Sequence, residues 1–284
     1  MRLRGVRGSR NVEDRRGMRG RAGAGAGIGG VGLLIILAIG YFAGVDVTPL
    51  LEGQAGAGQS QQQGAPRELS AEEKQAGEFA VRVLATTEDV WGQVFQQAYG
   101  ERYAPPVLVL YSGVTQSPCG GASGATGPFY CPVDKKAYLD TDFFATMHHK
   151  LGAKGDFAAA YVIAHEVAHH VQNELGIIPK VNAARQRASE VEGNALTVRL
   201  ELQADCLSGI WARHVDGLLE PGDIEEALNA ARQIDDDTLQ RKAGRVPQPH
   251  TFTHGTSEQR QRWFARGYES GDMGSCDTFG ARSL

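Results

Sequence analysis

The 284-residue sequence has no second long apolar run, no internal repeat and no basic block beyond its first 27 residues. The first absence excludes a polytopic membrane protein, and the second excludes a collagen-like array. The third argues against nucleic-acid binding, because the chain beyond that block is acidic and would repel phosphate. Cysteine is scarce as well: there are four, with no C-x2-C pair, which argues against a cysteine-held metal site.

The formal net charge of −4 is a sum over unlike parts. Residues 1–27 hold eight arginines against two acids, a net of +6, which leaves −10 on the remaining chain. Sixteen of the 37 glycines fall before residue 65, and the rest of the chain has an ordinary globular composition with enough apolar content for a core. The uncharged stretch Ala22 to Val45 contains the strongly apolar run IGGVGLLIILAIGYFAGV at 28–45. About 20 residues at 1.5 Å rise cross a bilayer, so the run reads as a transmembrane anchor with the arginine cluster on the cytoplasmic side. Its length, and the lack of a clear cleavage site after it, favour an anchor over a cleaved signal peptide. The organisation expected is a cytoplasmic basic tail at 1–27, an anchor at 28–45, a Gly/Gln/Ala-rich linker at 46–68 and one exported domain at 69–284 in the periplasmic or extracellular space.

All four cysteines lie on the side expected to be exported, where disulfides form. Pairing Cys119 with Cys131 would close a short Gly-rich loop and leave Cys206 for Cys276, although spacing alone admits the two other connectivities.

Leu69 to Tyr99 has helical periodicity behind a Ser70/Glu73 capping box. Pro106 to Ser112, Gly127 to Cys131 and Lys136 to Asp140 are β-rich and bounded by Gly or Pro, as in a small three-stranded sheet. Helices are expected at Thr141 to Leu151, Asp156 to Leu175, Val181 to His214, Gly222 to Ile234 and Ser257 to Tyr268. The order predicts a mainly helical α+β fold.

The helix from Asp156 carries AYVIAHEVAHHVQ. His165 and His169 are four apart and share a helical face, so both imidazoles can reach one Zn²⁺, while Glu166 can reach a water beside it. His170 lies about 100° off that face and reads as a partly exposed or supporting histidine. A catalytic zinc needs a third protein ligand, and LELQADCLSGIWA supplies Glu201, with Asp205 one turn on to take the free ring N–H of a ligand histidine. Glu190 and Glu192 lie in a polar stretch and read as solvent-facing, whereas Trp91, Trp211 and Trp263 read as core.

HEVAHH, ELQAD and THGTSEQR together resemble the signature of gluzincin metallopeptidases. Adding NVEDRRG, GPFYCP, YLD and FTHG, nearly the whole chain resembles the neutral zinc metallopeptidase family of bacterial single-pass proteins. In related CaaX-type gluzincins a THP segment precedes an arginine by six residues; His254 and Arg260 have that spacing here, with Gly255 in place of the proline. The resemblance implies that His254 and Arg260 meet the developing oxyanion or hold the substrate backbone. It also implies that GPFYC is an edge strand that binds peptide by strand addition, with Phe129 and Tyr130 as core residues the other reading.

The expected function is zinc-dependent hydrolysis of peptide or protein substrates, with one Zn²⁺ held by His165, His169 and Glu201 and with Glu166 as general base. The alternatives are a zinc-stabilised binding or scaffold domain and a hydrolase of non-peptide amides or esters.

Overall fold

The computed structural model describes residues 1–17, 68–123, 127–142, 155–233, 236–242 and 246–284. The chain divides into one unit of Met1–Arg16 with Leu69–Leu284 and a second of Gly17–Glu68. The expected anchor at 28–45 and nearly all of the expected linker lie outside the described residues. Among the described residues no helix is long and apolar enough to cross a membrane.

The first unit is α+β. Strand β1 (Val12–Asp14) is followed by helix α1 (Ala71–Tyr99), then β2 (Val107–Tyr111), β3 (Val114–Ser117), β4 (Gly120–Ser123), β5 (Phe129–Cys131) and β6 (Lys136–Asp140). Next come α2 (Asp156–Glu174), α3 (Ile177–Arg185), α4 (Glu190–His214), α5 (Asp223–Gln233), α6 (Asp236–Lys242) and α7 (Ser257–Ser270). The main sheet has the order β1-β2-β6-β5, with β1, β2 and β6 parallel and β5 antiparallel to β6. β3 and β4 form a separate hairpin. A disulfide between Cys119, at the tip of that hairpin, and Cys131 ties it to β5.

Residues 1–16 correct the expectation of a tail set apart from the domain. Val12, Glu13 and Asp14 pair with Leu108, Val109 and Leu110. Met1 and Leu3 are buried in the main core. Arg7 pairs with Glu88 and Asp89, while Arg15 donates to Thr115 Oγ1 and the Gln116 carbonyl. The Arg16 guanidinium reaches the Glu73 carbonyl. Arginines that read as a signal for membrane orientation are therefore structural partners of the domain. A strand cannot pair across a bilayer, so residues 1–16 and the rest of the unit share one compartment.

Local sequence explains the helices that build the site. Ser70/Glu73, Ser189/Glu192 and Thr256/Gln259 form capping boxes that start α1, α4 and α7. The Ser189 box also explains why Val181 to His214, expected as one helix, is two. α2 starts differently: Gly155, at φ 99°, offers no side-chain cap, and a Glu226 carboxylate oxygen accepts from Phe157 N at 3.1 Å instead. α4 and α7 meet backbone to backbone at Gly209 and Gly267, where a Cβ on Gly267 would collide with the Cys206 carbonyl. Trp91, Trp211 and Trp263 are buried, as expected. The expected helix at 141–151 falls almost wholly outside the described residues, and α6 has no counterpart among the expected elements.

Candidate metal centre

α2 runs through the core with an apolar surface on nearly all sides, so the polar groups it carries need partners. His165 and His169, one turn apart on α2, meet Glu201 from α4. Glu201 Oε2 is 3.1 Å from His165 Nε2 and 3.5 Å from His169 Nε2. The other nitrogen of each ring is already committed. His165 Nδ1 donates to Asp205 Oδ1 at 2.9 Å, and His169 Nδ1 donates to Gln172 Oε1 at 2.9 Å. Both Nε2 atoms are thus aimed at the Glu201 carboxylate, and one atom from each of the three residues lies within 4.8 Å of the others. A tetrahedral ion with bonds of about 2.0–2.1 Å spaces its ligands about 3.3 Å apart, so two imidazoles and a carboxylate at these separations fit Zn²⁺.

Electrostatics support the arrangement. Burial opposes charge on Glu201, but His169 and His165 outweigh it and hold the carboxyl well below the usual range. Burial raises the Glu166 carboxyl, the shift a general base near neutral pH requires. At Asp205, burial is again outweighed, here by Arg260 first, and the carboxyl falls to about 2.

Arg260 and His254 occupy different places. Arg260 is 2 % exposed and lies behind His165: Nε donates to Asp205 Oδ2 at 2.7 Å, and Nη2 donates to Asp205 Oδ1 and Tyr161 Oη, each at 2.9 Å. The structure therefore corrects the expectation that Arg260 meets an oxyanion, because its guanidinium is engaged in the buried support of a ligand. His254 is exposed, and it is close enough for its charge to act on Glu166 and Glu201. Asp236 holds it: a carboxylate oxygen accepts the backbone N–H of Thr253, His254 and Gly255, and the other lies 3.4 Å from His254 Nδ1. That contact is the leading cause of the raised His254 pKa.

The family profile described as "Putative neutral zinc metallopeptidase" matches residues 1–279. The chain belongs to that family. Among relatives of this zinc metallopeptidase family member, "Uncharacterized protein YpfJ" of Escherichia coli strain K12 is 50 % identical over 290 residues, covering 99 % of both chains. "Uncharacterized protein Rv2575" of Mycobacterium tuberculosis strain H37Rv is 45 % identical over 195 residues, covering 64 % of this chain and 65 % of the relative. No solved structure matches.

In this family member the sequence reading brought His165, Glu166, His169, Glu201 and Asp205 to one place. It missed Tyr161, one turn before His165, whose hydroxyl donates to Asp205 Oδ1 at 2.6 Å. It also missed Gln172 and Asp236. Helical spacing from His165 and His169 could have flagged Tyr161 and Gln172; nothing local flags Asp236. His170 is a correction too: it is buried, donating from Nε2 to the Ala104 carbonyl at 2.7 Å and accepting the Tyr130 hydroxyl at Nδ1, 3.0 Å away. Tyr130 is thereby a buried link between β5 and α2, while Phe129 stacks on Tyr138. Glu190 and Glu192 are exposed, as expected. Of the possible cysteine pairings, Cys119–Cys131 and Cys206–Cys276 are formed.

Proposed function

We propose that this chain is a zinc-dependent peptidase working in an oxidising, extracytoplasmic compartment. The observation that carries the reading is the convergence of His165 Nε2, His169 Nε2 and Glu201 Oε2 beside Glu166, a carboxyl raised by burial. Bound Zn²⁺ would polarise a scissile carbonyl and acidify an attacking water. Glu166 takes the proton of that water and delivers it to the leaving amine. His254, held by Asp236, donates an N–H to the oxygen on which negative charge develops; one such donor is typically worth about 3–4 kcal/mol. Arg260 and Tyr161 keep Asp205 fixed, and Asp205 keeps His165 aimed. β5 is at the edge of its sheet, and a substrate peptide adds there as a further strand, next to the helix that carries the histidines. Two disulfides support the choice of compartment.

The test is zinc content and hydrolysis of an unfolded protein by the full chain, beside Glu166→Gln. Expected is about one equivalent of zinc in both proteins, with hydrolysis in the parent alone. Equal hydrolysis by the two proteins would remove Glu166 from the mechanism. Zinc binding with no turnover in either would instead support a zinc-stabilised binding domain.

A further inference from the structure

Two carboxamides lie buried between α2 and α4, where aliphatic side chains would pack at no polar cost. Gln172 is 0 % exposed and Gln203 is 8 % exposed. Their hydrogen bonds form a single directed chain. His169 Nδ1 donates to Gln172 Oε1 at 2.9 Å. Gln172 Nε2 donates to the Leu200 carbonyl at 2.8 Å and to Gln203 Oε1 at 3.1 Å. Gln203 Nε2 in turn donates to the Cys276 carbonyl at 3.1 Å. A carbonyl accepts only, so Leu200 and Cys276 fix which end of each amide is nitrogen. Gln172 therefore presents oxygen to His169, which places a ring proton on Nδ1 and leaves Nε2 as the atom directed at Glu201.

The far end of the chain is anchored independently of the site. Cys276 is bonded to Cys206 of α4, and Thr278 Oγ1 donates to the Arg199 carbonyl at 2.7 Å, while the Arg199 guanidinium reaches the Thr278 and Ala281 carbonyls. The segment after α7 is thus laid along α4 with its Cys276 carbonyl held in position.

We propose that Gln172 and Gln203 are positioning residues for His169, and that the disulfide-fastened segment around Cys276 is the fixed support from which they aim it. His165 is oriented by an ion pair of charged groups; His169 is oriented by neutral amides. Removal of a partner that orients a metal-ligating histidine typically costs 10–100-fold in metal affinity. The inference rests on the metal site of the reading above, not on peptide turnover.

The experiment is zinc affinity by competition with a chromophoric chelator, on full-length parent, Gln172→Leu, Gln172→Glu, Gln203→Leu and the Cys206→Ser/Cys276→Ser pair, beside thermal midpoints of the metal-free proteins. Gln172→Leu keeps the volume and loses the chain, so its dissociation constant should rise about 10–100-fold. Gln172→Glu retains an oxygen for His169 Nδ1 and should bind more tightly than Gln172→Leu. Gln203→Leu and the serine pair should each weaken binding in the same direction, beyond any change in metal-free midpoint. Parent-like affinity in Gln172→Leu, or losses that simply follow the metal-free midpoints, would overturn the proposal. A parent that binds no zinc would remove it together with the metal site, whereas a parent that binds zinc and cleaves nothing would remove only the peptidase reading.

Discussion

Arg260 grips both oxygens of Asp205, Nε to Oδ2 at 2.7 Å and Nη2 to Oδ1 at 2.9 Å, in a place where neither side chain is more than 2 % exposed. The pair crosses from α7 to α4 and touches α2 through His165 and Tyr161, so three helices meet at one carboxylate. Breaking such a pair from one side leaves a buried charge alone, which typically costs about 3–5 kcal/mol. Arg260→Ala should lose stability on that scale in urea unfolding of the metal-free protein, and Arg260→Lys, which cannot span both oxygens, should lose part of it. A neutral Arg260→Ala would show that the pair does not hold the helices together.

The same pair sets an acid limit. Arg260 and His165 outweigh burial and lower the Asp205 carboxyl from its ordinary 3.8 to about 2. A carboxyl depressed in the folded state contributes stability that is full above its unfolded pKa and is lost as pH falls through the folded value. The contribution, about 2 kcal/mol by linkage, should be present above pH 4 and vanish towards pH 2. Acid titration of metal-free parent and Asp205→Asn should show a steeper stability loss across that window in the parent.

His254 and Asp236 should separate chemistry from metal binding. His254→Ala should lower kcat by about 10²–10³-fold, the usual effect of removing one donor to a developing oxyanion, with zinc affinity unchanged. Asp236→Asn keeps an oxygen for the backbone N–H groups but weakens the hold on the ring, so a smaller kcat loss is expected. Kinetics on one fluorogenic peptide checks both, and a loss confined to KM would place His254 in substrate binding alone.

Gly267 should tolerate no side chain. A Cβ there meets the Cys206 carbonyl, which is backbone and cannot rotate away. Gly267→Ala must push α7 off α4, and overpacking of this kind typically costs about 1–3 kcal/mol. Because Arg260 and Asp205 lie on those two helices, zinc affinity should fall along with the thermal midpoint.

The site's ligands were legible because helical geometry makes i and i+4 neighbours: His165 with His169, and Glu201 with Asp205, each declare a shared face. The third ligand's helix could be named because it is the next long one and carries acids between apolar residues. What could not be read depends on approach between distant segments. Asp236 is in a short helix with no apolar period, and its role comes only from meeting the backbone at Thr253–Gly255. Arg260 reaches Asp205 only because Gly209 and Gly267 let α7 close on α4, an approach that no local sequence pattern declares. Val12–Asp14 carries two acids in three residues and gives no strand signal; its pairing is set by β2, whose buried Leu108, Val109 and Leu110 accept it. Charge counting over residues 1–27 therefore separated a segment that the fold unites with the domain.

The pairing of β1 with β2 also bears on the order of synthesis. β1 is made first, yet its partner emerges about a hundred residues later, a non-local contact of the kind that forms slowly. Until it forms, β2 has a bare edge, the feature through which strands of other chains aggregate. A fragment beginning at residue 69 keeps all the metal-site residues and would carry that bare edge permanently, whereas a chain cut between residues 18 and 67 after folding would keep its first strand. Residues 1–16 supplied as a separate peptide should then bind the fragment and restore its solubility, making this protein a natural case for fragment complementation.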